Sequence, residues 1–309
     1  MPRIDCPRLL LSERSFVVIF FYRHIATIIL LAIAAPTPTL CQVGGIWGKV
    51  VYTKSGNVRV HLLGDPTYAD LGPGKYARWS PDGRKVAVKH ESSIFVVNAD
   101  GSNRIELVND AEGDSNCPVE FHTNGREILY IKDKHIMAVD IETKATRVLV
   151  DYVDCTGELG MDTDQNRVVC RDDHILRAID LDTGKHTEFA DDHCSAGISP
   201  DGNYVTYNDN GKPHHLKVHI RKINSDCTDS RAYKSVLHRV MPDEIMGDNH
   251  HWSNHNDWIT CEGDEYCNGV PYMINVKTQK GYVMVEVKGA KYPDLWVGGS
   301  LNPDEGHTQ

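Results

Sequence analysis

The strongest constraint in this sequence is that it repeats itself. The octets beginning at Tyr76, Pro118, Glu158, Ser195 and Asn249 align, and the fourth position is always large and apolar: Trp79, Phe121, Met161, Ile198 and Trp252. Trp296, in Pro293-Asp294-Leu295-Trp296, is read as a sixth anchor, and the successive intervals are 42, 40, 37, 54 and 44 residues. After each anchor come a polar turn, a short β-branched run such as Lys85-Val86-Ala87-Val88, a polar loop and a second such run such as Ile94-Phe95-Val96-Val97. Four short strands per unit of roughly 40 residues, separated by Asp-Gly turns, is the pattern of a propeller blade. A four-stranded sheet has two apolar faces, and a neighbouring sheet on each side is needed to bury both.

Five units are complete. Residues 46–72 supply strands without the first of a unit, and Pro293 to Val297 supply a first strand with nothing after it. The two fragments add up to one blade. The expectation is an all-β, six-bladed β-propeller over residues 42–309, its first blade closed by the C-terminal strand. Closure of that kind removes the free sheet edges that invite aggregation.

Three stretches carry a resemblance to a known family. Residues 76–103 (YARWSPDGRKVAVKHESSIFVVNADGSN), 198–209 (ISPDGNYVTYND) and 178–185 (AIDLDTGK) resemble the WD-like repeat of TolB-like propellers, and the resemblance extends over about 46–297. It implies a propeller and no particular activity, because scaffolds, peptidase propellers and lyases all use such repeats. His122-Thr123-Asn124, Asp162-Thr163-Asp164 and Ser253-Asn254-His255 depart from the Ser-Pro-Asp pattern. TolB itself carries an N-terminal α/β domain; none is expected here, since the leader and Val43-Gly44-Gly45 leave no room for one. A GxSxG nucleophile motif is absent from the sequence, which disfavours a propeller-gated peptidase.

The first forty residues are of another kind. Four Arg (3, 8, 14 and 23) precede the apolar run from Ile25 to Ala35, and Thr39 and Cys41 place small groups at −3 and −1 of a cut after Cys41. Residues 1–41 read as a secretory signal cut after Cys41, with Ala35 as the rival site. A retained membrane anchor is the alternative, and only then would the chain have a membrane partner. The expected location is secreted or periplasmic, as a monomer. The formal charge of −10 becomes −12 without the leader, which argues against a nucleic-acid partner. Of nine Cys, seven follow the leader; Cys261 and Cys267 flank a short loop and are expected to form a disulfide.

Blade geometry sorts the polar residues. The Ser-Pro-Asp-Gly turns open on one face and are structural: Asp closes the turn and Gly supplies the positive φ. The opposite face, where the innermost strands begin, gathers histidines and carboxylates. Candidate ligand-binding residues there are His193, His250, His251, Asp192, Asp248 and Asp294, with His193, His250 and His251 as candidate metal ligands for a divalent cation. On a strand, His250 shares a face with Trp252, and His251 takes the other. The extra residues 224–247 form an outer hairpin or a short helix beside this face.

Two functions stand. One is an exported module that binds a protein or carbohydrate ligand through this inlet face. The other is a metal-assisted carbohydrate-active enzyme resembling polysaccharide lyases, with Lys291 or Arg78 as the basic group.

Overall fold

The computed structural model describes residues 45–112, 119–151, 160–161, 167–172, 175–191, 193–209, 218–223, 230–232, 248–262, 269–284 and 287–300. The leader, residues 224–229 and 233–247, and Cys267 lie outside them, so the signal sequence, most of the expected insertion and the Cys261–Cys267 pairing do too.

Six four-stranded antiparallel sheets form the structure. The first blade holds β1 (Ile46–Lys54), β2 (Asn57–Leu62) and β3 (Tyr68–Pro73). The second is β4 (Lys75–Trp79), β5 (Lys85–His90), β6 (Ser93–Asn98) and β7 (Ile105–Val108). The third is β8 (Glu120–Phe121), β9 (Glu127–Lys132), β10 (His135–Asp140) and β11 (Thr146–Val150). The fourth is β12 (Gly160–Met161), β13 (Arg167–Asp172), β14 (Ile175–Asp180) and β15 (His186–Asp191). The fifth is β16 (His193–Ile198), β17 (Tyr204–Asp209), β18 (Val218–Ile223) and β19 (Ser230–Ala232). The sixth is β20 (Asp248–Trp252), β21 (Trp258–Glu262), β22 (Tyr272–Asn275) and β23 (Lys280–Val283). Finally β24 (Lys291–Ser300) pairs antiparallel with β1 and becomes the innermost strand of the first blade. The six-bladed propeller and its closure by the C-terminal strand are as the repeat requires.

The core is divided among the blade interfaces. Side chains alternate along each second strand, so Val86 and Val88 pack toward the first blade while Ala87 packs toward the third. Each described interface holds its own apolar cluster. Between the sixth and first blades, for example, Trp258, Met273 and Met284 meet Ile46, Val50, Tyr52 and Leu295. The anchors whose side chains are described face the preceding blade: Trp79 packs with Val51 and Val58, Phe121 with Ala87 and Ile94, Ile198 with Val169 and Leu176, and Trp252 with Val218 and Ile220.

That rule corrects the sixth anchor. Leu295 is 1 % exposed and packs on the sixth blade, whereas Trp296 packs on the cluster between the first and second blades. Leu295 is therefore the equivalent of Trp79, and Asp294 aligns with His251 rather than with His250. Trp296 has a different task. Its indole lies against Gly83 and donates to the Pro81 carbonyl at 3.1 Å. Lys49 Nζ sits 5.1 Å from the Trp79 ring and 4.7 Å from the Trp296 ring, and donates to the Gly83 carbonyl at 2.6 Å. Burial lowers its pKa from the ordinary lysine value. Arg167, at the same place in the fourth blade, is fully buried and donates to the Gly202 carbonyl. In both cases a cation of one blade docks on the turn glycine of the next.

The turns explain the departures from Ser-Pro-Asp-Gly. In the second blade Asp82 Oδ1 accepts from Ser80 Oγ at 2.6 Å and from the Arg84 amide at 3.0 Å. In the third blade Asn124 Oδ1 accepts from the Arg126 amide at 2.8 Å, with His122 Nδ1 accepting from the Asn124 amide. In the sixth, His255 Nδ1 accepts from the Asp257 amide at 3.2 Å. Both of these replacements keep an acceptor at the turn, and Asp162-Thr163-Asp164 lies outside the described residues.

Candidate functional site

The innermost strands contact one another in a closed ring, β24 to β4, β8, β12, β16, β20 and back to β24. The third and sixth blades thus stand on opposite sides of the axis. The residue just before each anchor lies at one level of this ring, and the six are Asp294, Arg78, Glu120, Gly160, Gly197 and His251. Four carry charge, and these four meet. Arg78 Nε donates to Glu120 Oε1 at 2.7 Å. His251 Nε2 reaches the same Glu120 oxygen at 3.0 Å, from the opposite blade, and its Nδ1 reaches Asp294 Oδ1 at 3.1 Å. The other Asp294 oxygen accepts from the Trp79 amide at 2.8 Å. One network thereby joins the first, second, third and sixth blades.

Burial and the Arg78 charge act against a charged His251, and the carboxylates of Glu120 and Asp294 outweigh them, lifting its pKa to about 9. At neutral pH it is an imidazolium held between two carboxylates. His250, one residue earlier, projects into the interface with the fifth blade. It is fully buried, and its Nε2 contacts Thr206 Oγ1 at 2.9 Å, which also accepts from Trp252 Nε1 at 3.1 Å. Burial, with the neighbouring His251 charge adding to it, lowers the His250 pKa to about 3. Gly197 permits this close approach: a Cβ there would stand 2.6 Å from Thr206 Oγ1 and 3.0 Å from the Trp252 ring.

The expected six-residue cluster is thus placed as follows. His251 and Asp294 meet directly. His250 faces another way, so it and His251 share no point at which one ion could sit. The side chains of His193 and Asp248, and all of Asp192, lie outside the described residues. Among the described residues, no three His, Cys, Asp or Glu side chains are arranged to hold a metal ion. His251 and Asp294 also lie at the turn end of the channel and not at the inlet where sequence position put them. They line a cavity of about 60 Å³ together with Trp79, Pro81, Glu120 and Phe121. Glu120 is absent from the expected cluster. Its signal is visible only when the residues preceding all the anchors are compared.

The inlet end has its own regularity. Four inner strands carry a bulge three residues before the anchor, each with a non-glycine residue in the left-handed region: Tyr76 (φ 52°), Ser195 (φ 39°), Asn249 (φ 44°) and Tyr292 (φ 52°). The ladders shift register at each of these places. A bulge re-aims the side chains of its strand. The Tyr76 and Tyr292 rings lie 4.3 Å apart. Glu262, at the end of β21, accepts from Asn249 Nδ2 at 2.9 Å and from the Tyr292 amide at 3.1 Å, with Lys291 Nζ 3.9 Å away.

This geometry defines a β-propeller with a charged axial network and a strained inlet. The comparisons bear on the same fold. TolB from Acinetobacter baumannii superposes with a TM-score of 0.60 at 12% identity, covering 80% of this chain and 66% of that one. The present chain thus spans just under two thirds of that protein's length. A TolB-like structure from Agrobacterium tumefaciens gives 0.54 at 12% identity, over 80% and 91% of the two chains. A propeller solved in a nidogen/laminin complex gives 0.57 at 12% identity, over 82% and 99%. No protein-family model and no curated protein matches the sequence. The chain has the fold of TolB-like propellers.

Proposed function

We propose that this chain is an exported propeller whose inlet face binds a protein or carbohydrate partner, with no catalytic step. The observation that carries this reading is the ring of left-handed bulges at Tyr76, Ser195, Asn249 and Tyr292. Non-glycine residues in that region cost of order 1–3 kcal/mol each, and such outliers cluster at ligand-contacting sites. Here they recur at one level of the channel, at the end where the inner strands begin. His193 and Asp248 are the first residues of β16 and β20, at this same end of the channel. A protein partner has the further support that a propeller of this shape was solved in a nidogen/laminin complex. Residues 1–41 are the export signal, and removal after Cys41 leaves Gln42 as the first residue.

The test uses the exported protein. Its N-terminus is read by mass spectrometry, and it is cross-linked in its native compartment and applied to a glycan array. The same is done with Lys291→Glu, whose side chain is 67% exposed, combined with Tyr292→Ala. Loss of the captured partner or bound glycan in the folded variant supports the reading. An unchanged capture pattern places recognition elsewhere, and an intact leader in the mature protein removes the export step.

A further inference from the structure

In every blade one residue of the third strand stands in the same row as the anchor, and its side chain faces the preceding blade. Val97, Val139, Ile179 and Ile274 take this place in the second, third, fourth and sixth blades, each inside the apolar cluster shared with the blade before. The fifth blade has Arg221 there, which donates to the Phe189 carbonyl of the fourth blade and lies over the Tyr207 ring. The first blade has His61, opposite Val50. His61 is 3% exposed, and neither ring nitrogen has a hydrogen-bond partner among the described residues. Arg59, two residues earlier on the same side of β2, also has a buried Nε without such a partner, with Asp70 Oδ2 3.9 Å away. A buried imidazole bonded to nothing in the protein is destabilising, and the Val or Ile of the other blades avoids that cost.

The hydrogen bonds across this seam show where the weakness lies. They engage the innermost strand of the first blade. The Pro293 carbonyl accepts from Thr260 Oγ1 at 2.6 Å, the Val297 amide donates to Asn254 Oδ1 at 2.6 Å, and the Tyr292 amide donates to Glu262 Oε2 at 3.1 Å. Among the described residues, no such bond ties β2 or β3 to the sixth blade. Other seams are tied outside the innermost strands. Arg104, just before β7, donates to the Leu71 and Pro73 carbonyls of β3. Lys132 of the third blade reaches Asp110 Oδ2, just past β7, at 2.5 Å, and Arg221 ties the fifth blade to the fourth.

We propose that the seam between the sixth and first blades opens at its outer half, β2 and β3 bending away from β22 and β23 while β24 and β1 stay in place. His61 is the residue that makes this opening easy. In the closed seam the protein offers its ring no partner; in the open one water reaches both nitrogens, and Arg59 Nε as well, so these side chains favour the open form. The blade that closes the ring thus carries a conformational device at its rim. The inference is independent of the inlet-face reading, since β2 and β3 lie away from the channel.

The experiment is native-state hydrogen–deuterium exchange on the full mature chain, read strand by strand by NMR, for the wild type and for His61→Val. In the wild type the β2 amides are expected to exchange at least about tenfold faster than those of β6 and β10, the third strands whose matching residues are Val97 and Val139. His61→Val should slow exchange in β2 and β22 by about the same factor, leave β6 and β10 unchanged, and raise the melting temperature. The proposal is overturned if wild-type β2 is as protected as β6 and β10, or if His61→Val leaves exchange in β2 unchanged. A lower melting temperature or failure of His61→Val to fold also overturns it, because His61 would then be holding the seam shut through bound water.

Discussion

His250 and His251 are chain neighbours that the fold holds in opposite charge states. His250 is sealed against Thr206 and kept neutral, while His251 bridges Glu120 and Asp294 as an imidazolium. Their alternation on one strand sends one into a blade interface and the other into the channel.

The pair sets a pH optimum. The folded pKa of His251, about 9, lies above the 6.5 of a free histidine, so its contribution is complete below pH 6.5 and is lost as pH rises through 9. The folded pKa of His250, about 3, lies below 6.5, so its contribution is complete above pH 6.5 and declines as pH falls toward 3. Each limb has a limiting slope of about 1.4 kcal/mol per pH unit. Urea unfolding from about pH 5 to pH 9 should show a maximum near 6.5. His251→Gln should flatten the alkaline limb and leave the acid limb; an unaltered alkaline limb would refute the assignment.

Removing Arg78 should be severe. Arg78→Ala leaves the buried Glu120 carboxylate with His251 alone, and breaking a buried pair by deleting one partner costs about 3–5 kcal/mol. Arg84→Ala, whose partner Asp82 lies 3.7 Å away on the surface, should change stability by less than about 1 kcal/mol. Denaturant midpoints of the two variants give the comparison directly.

Two turn glycines offer a controlled test of the clasp around Trp296. Gly83 (φ 66°) and Gly125 (φ 65°) have the same backbone conformation. A Cβ at Gly125 would meet only Pro81 Cδ at 3.9 Å, whereas one at Gly83 would enter the Trp296 indole. Gly125→Ala should cost about 1–2 kcal/mol, the left-handed penalty alone. Gly83→Ala should cost a further 1–3 kcal/mol, roughly, for overpacking. Equal losses would mean that Trp296 does not stand where described.

Ending the chain at Tyr292 should abolish folding. It deletes Leu295 from the cluster between the sixth and first blades and leaves β1 without its partner. Loss of the Leu295 side chain alone is worth about 2–5 kcal/mol, a large part of ordinary domain stability. A soluble monomer ending at Tyr292 with an unchanged melting temperature would contradict the closure.

The repeat was legible because each blade restates the same period-two runs and turn chemistry, so β5, β9, β13, β17 and β21 fall where the sequence predicts them. The last strand was harder. Leu295 and Trp296 are adjacent and both large, and only packing against Met273 or Gly83 tells which is the anchor. That one-residue ambiguity also misaligned Asp294. The axial network was less legible still. Arg78, Glu120, His251 and Asp294 are scattered over more than 200 residues, and each by itself resembles the outward half of an alternating strand. Their meeting follows from ring closure, which no local pattern encodes.

The pairing of β1 with β24 also fixes an order of events in the making of the protein. Lys54 Nζ donates to the Lys288 carbonyl, 234 residues away, and the first blade stays one strand short until β24, which ends at Ser300, has been synthesised. Contacts this distant in sequence form slowly. Until then β1 presents an unpaired hydrogen-bonding edge, and whatever machinery delivers the chain must keep that edge from other strands.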